Sequence, residues 1–334
     1  MLNIGVIGYG YWGPNLVRNF HFHNDCAVKY VSDSRNERLL LTMKHYPSIK
    51  TVLDYSEILN DNKIDAVVIA TPVSLHYSIA KEALKKGKHV LIEKPMASSV
   101  KQAEELIALA TKMKKVLMVD HTFLYTGAVQ KIKSVVDSGE IGELNYFDST
   151  RINLGLFQPD INVIWDLAPH DISILDYLVK EKPVSLSATG ISHTKNKLEN
   201  IAYLTLFYQT NFIAHFNCSW TSPVKIRKIL IGGSRKMILF DDVEPTEKVK
   251  VYDTGYSISS DEDKHKMLID YRAGDIFIPK IEQREALSGV VSDFILAITK
   301  NKKPISGSES GLNVVKILEA SEKSIKQNGK EINL

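Results

Sequence analysis

Apolar residues in the first 120 positions fall in short unbroken runs at Leu2–Ile7, Ala27–Val31, Ala66–Ala70, His89–Ile92 and Val116–Val119. Runs that are continuous rather than alternating mark strands buried on both faces. Between them lie stretches of helical period, clearest over Ser74–Lys86 and Val100–Lys114. In the second of these, Val100, Ala103, Leu106, Ile107 and Ala110 recur at spacings of three or four. Strands alternating with helices predict right-handed βαβ units, hence an α/β fold whose doubly wound parallel sheet carries helices on both faces.

Near residue 120 the pattern changes, which divides the chain into a first domain of residues 1–120 and a second of 121–334. One more helix is predicted over Gly127–Gly139 and a strand over Leu144–Ile152, followed by a helical segment at Val163–Val179. On the strand, Leu144, Tyr146, Asp148 and Thr150 share one face, and Asn145, Phe147, Ser149 and Arg151 the other. Successive strands follow at Val184–Ile191, Ile201–Tyr208, Phe212–Trp220, Ile226–Gly232, Met237–Phe240 and Val249–Tyr252. Turn-like breaks at Gln209–Asn211 and Gly233–Arg235 favour mostly antiparallel pairing. Residues Asp253–Phe277 read as a charged, irregular excursion, and helices at Arg284–Thr299 and Ser310–Gln327 close the chain. The second domain is therefore α+β, with a large sheet and too few helices to cover it. An uncovered apolar sheet face predicts a homo-oligomer, a homodimer or homotetramer joined through that sheet.

Composition narrows the function classes. Lys and Arg number 42 against 39 Asp and Glu, a net charge of +3, and 44% of the chain is hydrophobic. So even a balance gives no concentrated positive field for a nucleic acid, and the apolar content excludes a disordered chain. Cys26 and Cys218 form no CxxC or zinc-like spacing, so both are expected to be plain buried side chains in a reducing cytoplasm. The opening MLNIGVIGYG lacks a basic segment and is not expected to be a signal peptide. Nowhere do 18 apolar residues run together, so no membrane-spanning helix is expected.

Gly8-Tyr9-Gly10-Tyr11-Trp12-Gly13 is a GxGxxG run between the first strand and the first helix. In that setting Gly8 allows the tight turn, Gly10 lets backbone approach a pyrophosphate, and Gly13 lets helix pack on strand. The helix N-terminus offers free N–H groups to the phosphates. Asp33, at the end of the second strand, is placed to accept both ribose hydroxyls of an adenosine. Its charge repels a 2′-phosphate and favours NAD, with NADP as the alternative. Arg35 can pair with such a phosphate, stack on adenine, or sit solvated at a helix start. Tyr11, Trp12 and Ser34 complete this part of the expected cofactor set.

Glu93-Lys94-Pro95 follows the fifth strand, where ligands of open α/β sheets lie. A desolvated Lys94 there can serve as an acid or base, or donate to a reacting oxygen; taken by itself, a single loop lysine is more often just a surface charge. Asp166 and His170, four apart on the helical segment, share a face on which the carboxylate can orient the imidazole for proton transfer, or on which the two form a plain helix-surface ion pair. A metal site is not expected, since His170 and Asp171 are adjacent with no Cys/His cluster around them.

GYGYWG, Ala70-Thr71-Pro72 with His76, Glu93-Lys94-Pro95 and Asp166-x-x-x-His170 together resemble, in order and spacing, the glucose–fructose oxidoreductase / inositol dehydrogenase / rhizopine-catabolism family (Gfo/Idh/MocA). The likeness covers essentially the whole chain. It implies an N-terminal Rossmann domain and a C-terminal substrate-binding and oligomerisation domain. By resemblance, Lys94 contacts substrate and helps transfer the proton, and Pro95 turns the lysine toward the nicotinamide. His170 is then the acid/base, and Asp166 lies beside the reacting sugar carbon. Thr71, Pro72 and His76 line the dinucleotide. One departure is Asn162-Val163-Ile164-Trp165, where the family often has small residues. Trp165 there would narrow the sugar pocket or stack on a ring, or else be core. Arg151, with Asn153 near it, is read as a contact to an anionic sugar group or nucleotide phosphate, or as a structural ion pair.

The expectation is an NAD-dependent oxidoreductase acting on a sugar, such as a UDP-linked N-acetylated sugar or its uronic acid in surface-polysaccharide biosynthesis. A cyclitol or monosaccharide dehydrogenase, a non-catalytic NADH-binding regulator and a glycoside-cleaving enzyme are the alternatives.

Overall fold

The fold comes from a computed structural model, which describes residues 1–155, 157–257, 270–272 and 274–334. Of the excursion expected over 253–277, residues 258–269 and 273 lie outside the described residues. The chain forms two compact units, one of Met1–Thr126 with Arg284–Lys316, the other of Gly127–Gln283 with Ile317–Leu334.

In the first unit six parallel strands form one sheet in the order β3-β2-β1-β4-β5-β6. They are β1 (Leu2–Ile7), β2 (Cys26–Ser32), β3 (Lys50–Val52), β4 (Ala66–Ile69), β5 (His89–Glu93) and β6 (Leu117–Asp120). Strands β4 and β6 are buried at every residue, as parallel strands sandwiched between helices must be. Helices α1 (Gly13–His21), α2 (Asn36–His45), α3 (Ser56–Asn60), α4 (Val73–Lys85) and α5 (Val100–Met113) make the crossovers. Order reverses between β1 and β4, so the carboxyl ends of these strands open on a ligand crevice.

The segment 284–316, placed with the C-terminal domain in the sequence reading, packs with the first unit. Its helix Ala286–Lys300 sets Phe294 edge-on to Phe20 of α1, ring centres 6.3 Å apart. Asp293 accepts from the Tyr125 hydroxyl at 2.8 Å, and Glu285 pairs with Arg18.

The second unit is built on a nine-stranded sheet in the order β16-β13-β12-β11-β7-β10-β9-β8-β17. These are β7 (Leu144–Ile152), β8 (Ser185–Ile191), β9 (Ile201–Phe207), β10 (Ile213–Ser219), β11 (Ile226–Gly233), β12 (Met237–Asp241), β13 (Val249–Tyr252), β16 (Ile276–Phe277) and β17 (Ile332–Asn333). A small hairpin of β14 (Gly255–Ser257) and β15 (Asp270–Arg272) stands apart from it. All pairings in the large sheet are antiparallel except β7 with β10. Helices α6 (Gly127–Asp137) and α7 (Val163–Leu178) also belong to this unit.

One face of this sheet is core, with Phe147, Leu204, Phe216, Ile229, Ile238 and Val251 buried. On the other, Tyr203, Ile213 and Leu230 are 46%, 43% and 43% exposed. No described helix is long and apolar enough to cross a membrane.

Candidate active site

The first unit holds a cleft of about 780 Å³ at the carboxyl ends of its strands. Gly8, Gly10, Tyr11 and Trp12 line it from the turn after β1. Asp33, Ser34 and Arg35 line it after β2, Thr71 and Pro72 after β4, and Glu93 and Lys94 where β5 ends. Leu53, Asp54 and Tyr55, which the sequence reading missed, also line it.

Gly8 has φ +99°, and a Cβ there would lie 2.4 Å from the Ala70 carbonyl oxygen, so only glycine fits. A Cβ on Gly13 would lie 2.2 Å from the Gly8 carbonyl oxygen, because the first turn of α1 closes on the loop. Gly10 would meet only the Arg35 guanidinium, at 3.6 Å, which leaves its backbone open to an approaching phosphate. Arg38, unremarked in the sequence reading, braces the loop by donating from Nε to the Tyr9 carbonyl at 2.6 Å. This cradle fits a dinucleotide pyrophosphate.

Asp33 is buried and accepts from the Tyr9 backbone N–H at 2.8 Å and from Arg35, both backbone and Nε at 3.0 Å. Burial alone would raise its pKa, but the hydrogen bonds from Arg35 and Tyr9 hold it below the ordinary carboxylate value. Arg35, just before α2, forms an ion pair with Asp33, a partner that none of the three roles expected for it included. Asp33→Ala is therefore expected to weaken NAD binding and to improve relative tolerance of NADP, since Arg35 loses its carboxylate partner. Dissociation constants for both dinucleotides check this; an unchanged preference would place recognition elsewhere.

The Lys94–Pro95 peptide that follows β5 is cis, and Pro95 itself does not line the cleft. His76 does not line the cleft, contrary to the expectation for it. It is buried, with Nδ1 2.9 Å from the Pro95 carbonyl and Nε2 2.8 Å from that of Thr71, and so ties together two loops that border the cleft. Burial lowers its pKa, outweighing these two carbonyls. Two residues absent from the sequence reading complete the neighbourhood. Asp120 accepts from Trp12 Nε1 at 3.1 Å and from the Thr122 hydroxyl at 2.6 Å. His121 is buried with neither ring nitrogen hydrogen-bonded, and burial pushes its pKa down to about 3.

In the second unit, Asn162 caps α7 by accepting from the Trp165 backbone N–H at 3.1 Å. Asp166 and His170 follow one turn apart on that helix and so share a face. Pro169 lies within the helix and removes one backbone donor there. Trp220, from the end of β10, donates from Nε1 to Asp166 at 3.0 Å and fixes that carboxylate. Trp220→Phe is expected to remove this one hydrogen bond to Asp166 and to lower kcat roughly tenfold, as for a lost hydrogen bond to a charged group. A shifted pH profile of kcat in a variant that still folds would check the assignment.

Trp165 is buried, which favours the core reading. Asn153 holds the end of β7 through its backbone, donating to the Ser219 carbonyl at 3.0 Å. The reading of Arg151 as an anion contact is corrected. It is fully inside, donating from Nε and Nη2 to Asp171 at 2.9 and 2.6 Å, the structural ion pair that was its alternative. Cys26 and Cys218 are both buried thiols, and burial raises each, Cys26 to about 11.

Two family models match the chain. One, the oxidoreductase family with NAD-binding Rossmann fold, spans residues 2–121, and the other, the GFO/IDH/MocA C-terminal domain, spans 129–239, together more than half of the chain. The chain belongs to the Gfo/Idh/MocA family. Its first unit carries that family's NAD-binding Rossmann fold. Among its relatives, an uncharacterized oxidoreductase of Escherichia coli (strain K12), YdgJ, is 31% identical over 188 residues, 51% of each chain. The UDP-N-acetylglucosamine 3-dehydrogenase of Acidithiobacillus ferrooxidans is 30% identical over 217 residues, 61% of this chain and 63% of the relative. The matched stretches thus span about half to three fifths of these two relatives. In solved structures, UDP-N-acetylglucosamine 3-dehydrogenase GnnA from that organism shares the fold at TM-score 0.81 and 22% identity, covering 98% of both chains.

Proposed function

We propose that the protein is an NAD-dependent dehydrogenase that oxidises a ring hydroxyl of a UDP-linked N-acetylated sugar, or of its uronic acid, to a ketone. The observation that carries the reading is Lys94 on the wall of the same cleft as the glycine turn and Asp33. A lysine at the carboxyl end of the sheet, beside a dinucleotide cradle, serves a proton transfer that accompanies hydride movement. A bound NAD supplies the hydride acceptor. Lys94 and His170 manage the hydroxyl proton, and Asp166, held by Trp220, supports the imidazole as it gains charge. The substrate class rests on the relative named UDP-N-acetylglucosamine 3-dehydrogenase.

The half-exposed apolar side chains on the open face of the nine-stranded sheet support its role as the contact between copies in a homodimer or homotetramer. The proposed setting is a reducing cytoplasm.

The purified protein with NAD or NADP, offered UDP-linked N-acetylated sugars, their uronic acids, inositols and free monosaccharides, is expected to form reduced nicotinamide with the first two. Turnover confined to inositols or free sugars would reassign the substrate class. NADH binding without turnover on any of them would favour a regulator.

A further inference from the structure

Glu93 and Asp120 end the adjacent strands β5 and β6 and stand in register with each other. Their carboxyl groups have very different partners. Both oxygens of Asp120 accept, Oδ2 from Trp12 and Oδ1 from Thr122. Glu93 Oε2 accepts from the Lys94 backbone N–H at 3.2 Å, while Oε1 is sealed from solvent with no donor. A sealed carboxylate oxygen without a donor, facing a second carboxylate, is penalised by both desolvation and like-charge repulsion. One proton on Oε1 removes both penalties, because Glu93 becomes a donor and Asp120 its acceptor.

We propose that Glu93 keeps its carboxyl proton at neutral pH and donates it to Asp120, so that the pair carries one negative charge beside Lys94 and not two. Burial first, then the charge of Asp120 and the hydrogen bond to it, hold Glu93 well above the ordinary carboxylate range; the Lys94 charge and backbone N–H pull the other way. The neighbouring His121 and the His76 beneath Pro95 are both driven toward the neutral form by burial, so neither supplies a counter-charge.

Resting on the NAD-dependent reading above, this proton is linked to the redox state of the cofactor. Oxidised nicotinamide carries a positive charge that the reduced form lacks. Because Glu93 lines the dinucleotide cleft, that charge favours its ionised form. Binding of NAD+ then releases the Glu93 proton to solvent, and binding of NADH does not. Glu93 acts here as a positioning residue that sets the charge beside Lys94.

Infrared spectra of the full-length, cofactor-free protein at neutral pH test the shared proton. A protonated-carboxylic-acid carbonyl band is expected, absent in Glu93→Gln, and titrating at lower pH in Asp120→Asn. Should either variant misfold, carbon-13 labelling of glutamate carboxyls in the unaltered protein must shift the same band. No such band, or one that survives Glu93→Gln, overturns the proposal; an unchanged titration in Asp120→Asn removes Asp120 as the partner. A pH-indicator dye then follows proton release on dinucleotide addition, expected with NAD+, absent with NADH, and lost in Glu93→Gln. Equal release with both dinucleotides overturns the redox linkage. If the band is present but neither dinucleotide binds, the cofactor reading fails while the shared proton stands.

Discussion

Replacing Lys94 with alanine is expected to lower turnover by a factor on the order of 10² or more while NADH affinity changes little. The lysine stands where β5 leaves the sheet and lines the same cleft as the glycine turn. The cradle that would hold the phosphates is made instead by Gly8, Gly10 and the start of α1, which the substitution leaves intact. A group that moves or holds a proton only while the alcohol reacts shows its loss in kcat; one that merely binds shows it in KM. Lys94→Arg is expected to be nearly as damaging, because a guanidinium keeps the charge but neither the compact donor nor a usable deprotonated form. Steady-state kcat and KM together with NADH fluorescence titration decide the matter. Wild-type turnover in Lys94→Ala would remove the lysine from the chemistry.

How much of this could be read from sequence depends on whether a feature is local. The strands β1, β4, β5 and β6 showed themselves because a parallel strand covered on both faces must be apolar at nearly every position, as Ala66–Ile69 is. Strands of two or three residues, such as β3, β16 and β17, carry no period and stayed invisible. The parallel pairing of β7 with β10 was equally hidden, since alternation fixes which face is buried but not which strand lies alongside. The helical period of 286–300 was legible, whereas its packing with the first unit depends on Phe294 meeting Phe20 and Asp293 meeting Tyr125, contacts with no signature in spacing.

The same division runs through the site. The glycine turn and Asp33 are local signals and lie together on one cleft. Asp120 closes an apolar run, a position that rules for α/β sheets mark as ligand-facing, but its place opposite Glu93 needs the register of β5 on β6. Trp220 reaches Asp166 across 54 positions, and no local pattern predicts that bond. Arg151 was placed on the face it shares with Phe147 and Ser149, which is the buried one. What the pattern lacked was the partner that lets an arginine be there.

That partner leads to the second large effect. Arg151→Ala is expected to destabilise the protein by about 3–5 kcal/mol, because it strands the Asp171 carboxylate without its cation inside the core. The side chains of Arg151 and Asp171 are only 4% and 2% exposed, and both oxygens of Asp171 are engaged, with Ser149 donating at 2.7 Å beside the guanidinium. Water cannot replace the lost charge at such a depth. Replacing both partners by apolar residues of similar volume, as in Arg151→Met with Asp171→Leu, is expected to recover most of the loss, since the cost lies in the unpaired charge and not in a missing contact. Chemical denaturation of the two single variants and the double variant gives the coupling directly. Kinetics on the folded fraction separate this role from substrate recognition: a structural pair leaves KM for anionic and neutral sugars equally affected. A selective rise in KM for the anionic substrate, with stability unchanged, would return Arg151 to the binding site.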